Sequence, residues 1–460
     1  MPLRYHERTV PFTGDPLEAL TRVAESSGPG DFVVYEGCDS WSLGCGALAE
    51  ITLDRSGARS TVAGRTAGVL PPDGDPLEAV RHLLAALPVR GWRAYGWSAF
   101  ELAYLKDGKS DGVGDERLLH LMVPKAEIRI ARRQAALRAA EPAVLDALYT
   151  ALLDALRAEG SPRRRAPTPA DVRGTGAREY KRAVALAVEH IRARRFDKVV
   201  LSRTVPVPHP VDFTATYLAG RRANTPARSF LLRLDGVRSA GFSPEVVVCV
   251  GPDGTVMSQP LAGTRARTDD PAENDRLRAE LISDPKEVYE HAISVRTACE
   301  ELSQVCAETS VAVEEFMRVR ERGSVQHLGS KVTGRLAGGR GAWDVFGAVF
   351  PAVTASGIPK TPANSWIHAG EDRARGLYGG AVLTVDEDGA LDAALVLRAV
   401  YQRGGRTWLQ AGAGIVGDSR PDREFEETCE KLDSVARFLV RAEPGTDDAT
   451  ARPGAADAAS

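Results

Sequence analysis

Strand-like segments in this chain come in runs joined by turns, and this limits the fold more than any other feature. Residues 230–234, Val246–Val250 and Thr255–Ser258 are short and apolar or β-branched, and Pro252-Asp-Gly254 between the last two is a hairpin turn. Residues 346–351, 379–385, 391–401 and 407–412 repeat the arrangement, with turns such as Asp386-Glu-Asp-Gly389. Strands cluster with hairpin signals and do not alternate with helices, so the expectation is an α+β fold with large antiparallel β-sheets and helices packed outside.

Residues 1–157 read as an α+β lobe. Residues 31–36, 49–54, 118–123 and 126–131 are strand-like, 75–87 and 142–157 have helical spacing, and the aromatic, glycine-rich 91–100 reads as a buried strand. Residues 158–177, rich in proline, glycine and arginine, break the pattern and are expected to form an exposed connector. Residues 178–441 form the second region, with amphipathic helices at 179–195, 275–283 and 286–307 and a buried-type strand at 197–203. Residues 1–441 are expected to fold as one compact unit, and the Ala/Gly/Pro/Asp-rich 442–460 to be disordered.

Of 460 residues, 43% are hydrophobic and 26% charged, as in soluble globular proteins. The formal charge of −3 leaves no basic footprint for nucleic acid. Six cysteines lack C-x-x-C or Cys/His spacing and read as reduced thiols. Residues 1–8 lack an apolar signal core and no run of 18 apolar residues occurs, so a cytoplasmic protein without membrane attachment is expected.

Two acidic segments stand out. In Arg423-Glu-Phe-Glu-Glu-Thr-Cys-Glu-Lys431, preceded by Pro421, a helix puts Glu424, Glu427 and Lys431 on one face. Lys286-Glu-Val-Tyr-Glu-His291 repeats the spacing with Glu287 and Glu290. Solvated helix faces explain either segment alone. Facing each other, the two supply an oxygen-rich shell suited to Mg²⁺. Gly412-Ala-Gly-Ile-Val-Gly417 matches G-x-G-x-x-G, but Asp418-Ser-Arg-Pro421 interrupts before a helix can begin, so a dinucleotide site is rejected. Its glycines better suit backbone N–H groups approaching an anion. Glu245 after Ser-Pro, the turn Pro260-Leu-Ala-Gly-Thr-Arg-Ala266, and His327 are further candidates, each with an ordinary structural explanation.

Taken together, residues from about 178 to 440 resemble the chorismate-utilising enzymes, a family that includes anthranilate synthase component I, aminodeoxychorismate synthase, isochorismate synthase and salicylate synthase. The resemblance is carried by Lys198-Val-Val-Leu-Ser-Arg203, Ser243-Pro-Glu245, Leu261-Ala-Gly-Thr-Arg265, residues 286–291, Ser324-Val-Gln-His-Leu-Gly-Ser330, residues 350–360, Arg375-Gly-Leu-Tyr378, Arg398, residues 412–414 and residues 423–431. Residues 96–101 match more loosely. Members that use water resemble this chain in carrying lysine at the position of Lys198, where ammonia-using members carry glutamine. A lysine opening a buried strand suits a base that deprotonates water. Residues 319–330 and 350–360 resemble the salicylate-forming branch.

The resemblance implies conversion of chorismate through isochorismate to salicylate and pyruvate, for an iron chelator or another salicylate-derived metabolite. It implies Mg²⁺ as cofactor on Glu290 and Glu427, with Glu287 and Glu424 ordering its waters. Lys198, Glu245 and His327 are the implied catalytic residues, Lys198 activating water and Glu245 protonating the departing C4 hydroxyl. Gly263, Thr264, Thr354, Tyr378, Arg398, Gly412, Ala413, Gly414 and Lys431 are the implied substrate-binding set. A monomer is implied. An enzyme stopping at isochorismate, an anthranilate- or aminodeoxychorismate-forming enzyme, and a non-catalytic chorismate-binding scaffold remain alternatives.

Overall fold

The computed structural model describes residues 2–72, 74–109, 113–158, 165–323, 325–371 and 373–443. Among these the fold is the expected α+β arrangement around a large antiparallel sheet, whose pairing follows one path. Strand Lys198–Pro206 pairs with Arg406–Ile415, followed by Ala399–Arg403, Val237–Ser243 and Arg228–Leu234. The path crosses into the amino-terminal third at Phe32–Glu36, then runs through Trp41–Asp54, Leu119–Ala131 and Arg93–Ser98. It returns at Ala381–Asp386 and continues through Leu391–Leu395, Val246–Val250, Thr255–Ser258 and Val325–Arg335. Leu261–Ala266 and Ala312–Arg322 flank that last strand. Only the short pairing of Leu3–Arg4 with Val89–Arg90 is parallel among the described residues.

The two faces of the sheet have different company, as the two-residue period of a strand demands. Val33, Tyr35, Phe230, Leu232, Val382 and Tyr401 form an apolar cluster of their own with Tyr95 and Trp97. Their neighbours Val34, Leu231, Leu383 and Val400 face the other way, into a larger cluster that includes the helices.

Local readings differ from the structure in five places, the first being residues 260–266, read as a turn, where Leu261–Ala266 is a strand whose pairing shifts register at Gly263. Residues 346–351 read as strand in the sequence, but Ala342–Val349 is a helix, opened by the Asp344 carboxylate accepting from the Gly341 N–H at 2.8 Å. A short, wholly apolar run has no period to read. Residues 118–123 and 126–131 form one strand, Leu119–Ala131, with Pro124 inside it. The missing N–H is tolerated because the pairing shifts register between Ala47 and Ala49, opposite the proline. Residues 391–401 break into two strands around Arg398, which sits at φ +50°. Finally, the described part of the connector is not a free strap. Ala170 and Val172 are buried, and the Val172 carbonyl accepts from Arg203 Nη2 at 2.7 Å. Residues 159–164 and 444–460 lie outside the described residues. All six cysteines are unpaired. Among the described residues no helix is long and apolar enough to cross a membrane.

Candidate active site

One cavity, about 630 Å³ with its mouth, lies where strands Lys198–Pro206, Leu261–Ala266, Val325–Arg335 and Arg406–Ile415 meet helices Pro285–Ser303 and Pro421–Ala436. Both helices begin with proline at the first helical positions. Asp284 caps the first by accepting from the Lys286 and Glu287 N–H groups. The first turns of both carry acids, where the helix dipole favours negative charge.

Lys198 opens its strand with its side chain 1% exposed; its ammonium lies 3.0 Å from Glu290 and donates to Ser294 Oγ at 3.1 Å. Gly414 makes that placement possible. A Cβ there would stand 2.0 Å from Glu290 Oε1 and 3.1 Å from Lys198 Cε. Gly263, at φ +77°, turns the chain beside Glu287 in a conformation that suits glycine. Glu427 pairs with Lys431 at 2.8 Å, and Lys431 also donates to the Gly412 carbonyl at 2.9 Å.

Glu245 is buried in the cavity wall and accepts from Thr354 Oγ1 at 2.6 Å. Burial pushes its pKa up to about 8, against the opposing pull of Thr354 and the Lys198 charge. His327 is also buried. Its Nδ1 lies 3.2 Å from the Gly263 carbonyl and 3.1 Å from Thr264 Oγ1, and its Nε2 faces Arg398 Nη2. A carbonyl only accepts and a guanidinium only donates, so these partners assign the proton to Nδ1 and leave Nε2 as acceptor. Burial and the Arg398 charge hold the imidazole well below its usual pKa. The ring is therefore built to stay neutral and to orient Arg398. Burial and the nearby Arg322 lower Arg398 itself to about 9, which leaves it charged near neutrality.

Glu287 and Glu424 stand behind the lining rather than in it. Both are joined to the cavity acids through Lys286, whose ammonium is 3.1 Å from Glu424, 3.5 Å from Glu287 and 3.9 Å from Glu290. Glu287 is also held by Arg265 at 3.1 Å. Burial, then repulsion from Glu427, raises Glu287 and lifts Glu424 to about 7. Glu427 goes the other way: burial opposes its charge, but Lys431 and Lys286 hold it down at about 2.

This donor set suits a hard divalent cation. Glu287 Oε2 and Glu424 Oε2 are buried without a hydrogen-bond partner, an arrangement that is costly unless something positive completes it. Among the described residues no three Asp, Glu, His or Cys side chains already stand as a closed metal cage. The carboxylates are drawn onto ammonium groups instead.

The cavity thus gathers Lys198 through its partner Glu290, together with Glu245, Gly263, Thr264, His327, Thr354, Tyr378, Arg398, Gly412, Gly414, Glu427 and Lys431. Ala413 differs from its neighbours. Its side chain is fully buried in the apolar core, as strand alternation between two lining glycines requires. Gln410, Leu261 and Ser294 were not anticipated, and neither was Lys286 as the hub of the acids. Lys286 had a readable signal, standing four residues before Glu290 on one helix face.

The chain is 43% identical over 420 residues to the salicylate synthase of Mycolicibacterium paratuberculosis (strain ATCC BAA-968 / K-10), covering 89% of this chain and 90% of that protein. It is 42% identical over 266 residues to anthranilate synthase component 1 of Streptomyces coelicolor, where the match takes in 58% of this chain and 52% of the relative. In fold it is similar to the menaquinone-specific isochorismate synthase MenF of Escherichia coli, with a TM-score of 0.72 at 22% identity over 95% of this chain and 96% of that one. The chorismate binding enzyme family matches residues 31–437, and the chain belongs to that family.

Proposed function

We propose that this chain converts chorismate, by way of isochorismate, into salicylate and pyruvate. The observation that carries the reading is one cavity lined by Glu245, a carboxylic acid kept protonated near pH 7, and by Glu290, which holds the buried amine of Lys198 at 3.0 Å. The similarity to a salicylate synthase over nine-tenths of both chains supports the branch.

In the first step Lys198 removes a proton from water, which bonds to C2 of the ring. The ring double bonds shift, the C4–O bond breaks, and Glu245 supplies the proton with which that hydroxyl departs as water. The Lys198 ammonium donates to Glu290 as the side chains stand, so Lys198 acts as a base only after giving up its proton. In the second step the enolpyruvyl group leaves as pyruvate by an intramolecular rearrangement, which asks the cavity for an enforced conformation rather than a strong base. Tyr378, Arg398 and the Gly412–Gly414 backbone anchor the enolpyruvyl carboxylate, and His327 orients Arg398. Thr264 and the Gly263 carbonyl hold His327, Thr354 holds Glu245, and Lys431 holds Glu427.

Mg²⁺ fits Glu290 and Glu427, with Glu287 and Glu424 behind them, and when bound would neutralise the ring carboxylate. The reading takes the enzyme as a cytoplasmic monomer, consistent with six unpaired cysteines, supplying salicylate to an iron chelator or a related metabolite.

Product analysis tests the proposal. Chorismate with Mg²⁺ should give salicylate and pyruvate in equal amounts, and chelation by EDTA should stop the reaction. Isochorismate accumulating without pyruvate would instead make the chain an isochorismate synthase, and a requirement for ammonia would move it to the anthranilate branch. Lys198→Ala and Glu245→Gln should each lower chorismate turnover about 10²–10⁴-fold, the range for losing a general base or acid. Full turnover by either variant would remove that assignment.

A further inference from the structure

Glu245 lines two cavities, not one. Behind the substrate cavity lies a smaller one, about 260 Å³ against 630 Å³, with room for about one water. Its wall includes Glu245, Ser258, Ala298, Val353 and Glu301. Glu301 lies eleven residues after Glu290 on the same helix, three turns along the same face. It pairs with Lys360 at 2.6 Å, and Lys360 also donates to the Val349 carbonyl at 2.7 Å. Their side chains are 12% and 16% exposed, so this end of the cavity reaches solvent, while Glu245 is 3% exposed. Burial raises the Glu301 carboxyl despite Lys360, so it can take up a proton more readily than a surface acid. The substrate site uses neither Glu301 nor Lys360, although burying an ion pair is costly.

The proposed hydration leaves an imbalance. After each event Lys198 carries one proton more and Glu245 one fewer, the C4 hydroxyl having left as water, and the cycle closes only when Lys198 releases its proton to solvent as product leaves and Glu245 regains one. A proton must therefore enter at Glu245 before the next chorismate. Isochorismate fills the front cavity until pyruvate leaves, so the front is closed to that proton during the second step. We propose that the rear cavity reprotonates Glu245, with Glu301 taking a proton from solvent and passing it on through a bridging water. This relay rests on Glu245 being the acid of the reading above. Glu301 acts through Glu245 and is a positioning and relay residue, not a catalytic one.

The test exploits the difference between the two steps. Pyruvate loss is intramolecular and needs no proton from Glu245. In the full chain with Mg²⁺, Glu301→Gln should lower kcat for chorismate about tenfold, less than the loss expected for the general acid itself. Its initial rate of pyruvate release from added isochorismate should stay within about twofold of the unsubstituted enzyme, a change too small for loss of the site. The solvent deuterium isotope effect should rise with chorismate alone. Ala298→Val narrows the same cavity without touching a charge and should give the same selective loss. Unchanged chorismate turnover in both variants, or equal slowing with both substrates, overturns the relay. An unsubstituted enzyme that never consumes chorismate overturns the reading of the front cavity, a distinguishable failure.

Discussion

Two buried ionic networks, close in composition, are finished differently. Around Arg375 every polar atom is answered. Its guanidinium donates to Glu371, to the Ala355 carbonyl at 2.7 Å and to the Val200 carbonyl at 2.7 Å. Glu371 also accepts from the Ser202 N–H at 2.9 Å and its hydroxyl at 3.0 Å. Glu101, from the amino-terminal lobe, accepts from the N–H groups of Arg375 at 2.6 Å and Gly376 at 3.0 Å. The turn so fixed carries Tyr378 into the cavity. Around Lys286 the four carboxylates meet Lys286, Lys198, Arg265 and Lys431, yet two buried oxygens, Glu287 Oε2 and Glu424 Oε2, have no partner. The closed network behaves as scaffold; the open one is where a ligand completes the structure.

Breaking the closed network should be the more damaging. Arg375→Met leaves Glu371 buried without its guanidinium, and removing one partner of a buried pair costs about 3–5 kcal/mol. Urea unfolding should show that loss equally with and without Mg²⁺. A loss near zero would mean the network carries no structural load. Lys286→Met should behave in the opposite way. Without metal it leaves Glu424 without its ammonium partner, while Lys198, Arg265 and Lys431 still face the other acids, and should cost about 1–3 kcal/mol, the range for an uncompensated buried polar group. Millimolar Mg²⁺ should restore that stability, because a ligand bound only to the folded state stabilises it by mass action. An equal Mg²⁺ response in the two variants would erase the difference between the networks.

The two networks were not equally legible. The open one rests on local spacing: Glu287 and Glu290, Glu424 and Glu427 repeat three residues apart in helices whose starts are marked by proline. The spacing of Lys286 four residues before Glu290 was readable as a helix pair, but not that the pair is buried and joins Glu287 and Glu424 as well. The Arg375 network draws on residues 101, 200, 202, 355 and 371, which no periodicity links. The same holds for the connector, where Arg203 fixes the Val172 carbonyl in the interior. Antiparallel pairing was readable from turns and clustered strands. The helix at Ala342–Val349 was not, because apolar residues on every side erase the period.

The effect smallest at any one pH step concerns Glu101 and its pH dependence. Burial lifts its carboxyl to about 7, although two backbone N–H donors pull the other way. A carboxyl raised on folding binds more protons folded than unfolded, so its contribution to stability is present at low pH. It is lost as pH rises from the ordinary carboxyl range, about 4.3, to about 7. Glu101→Gln cannot titrate, and its amide oxygen answers only part of what the carboxylate held, so the variant should start less stable. Its stability should then fall less with pH than that of the unsubstituted chain, with the two curves converging toward neutrality by on the order of 1 kcal/mol for each pH step of about one across that window. Denaturant unfolding over the same range measures it. Parallel curves would mean that the backbone donors cancel the burial, so that Glu101 stays ionised and the amino-terminal lobe holds Tyr378 in place independently of pH.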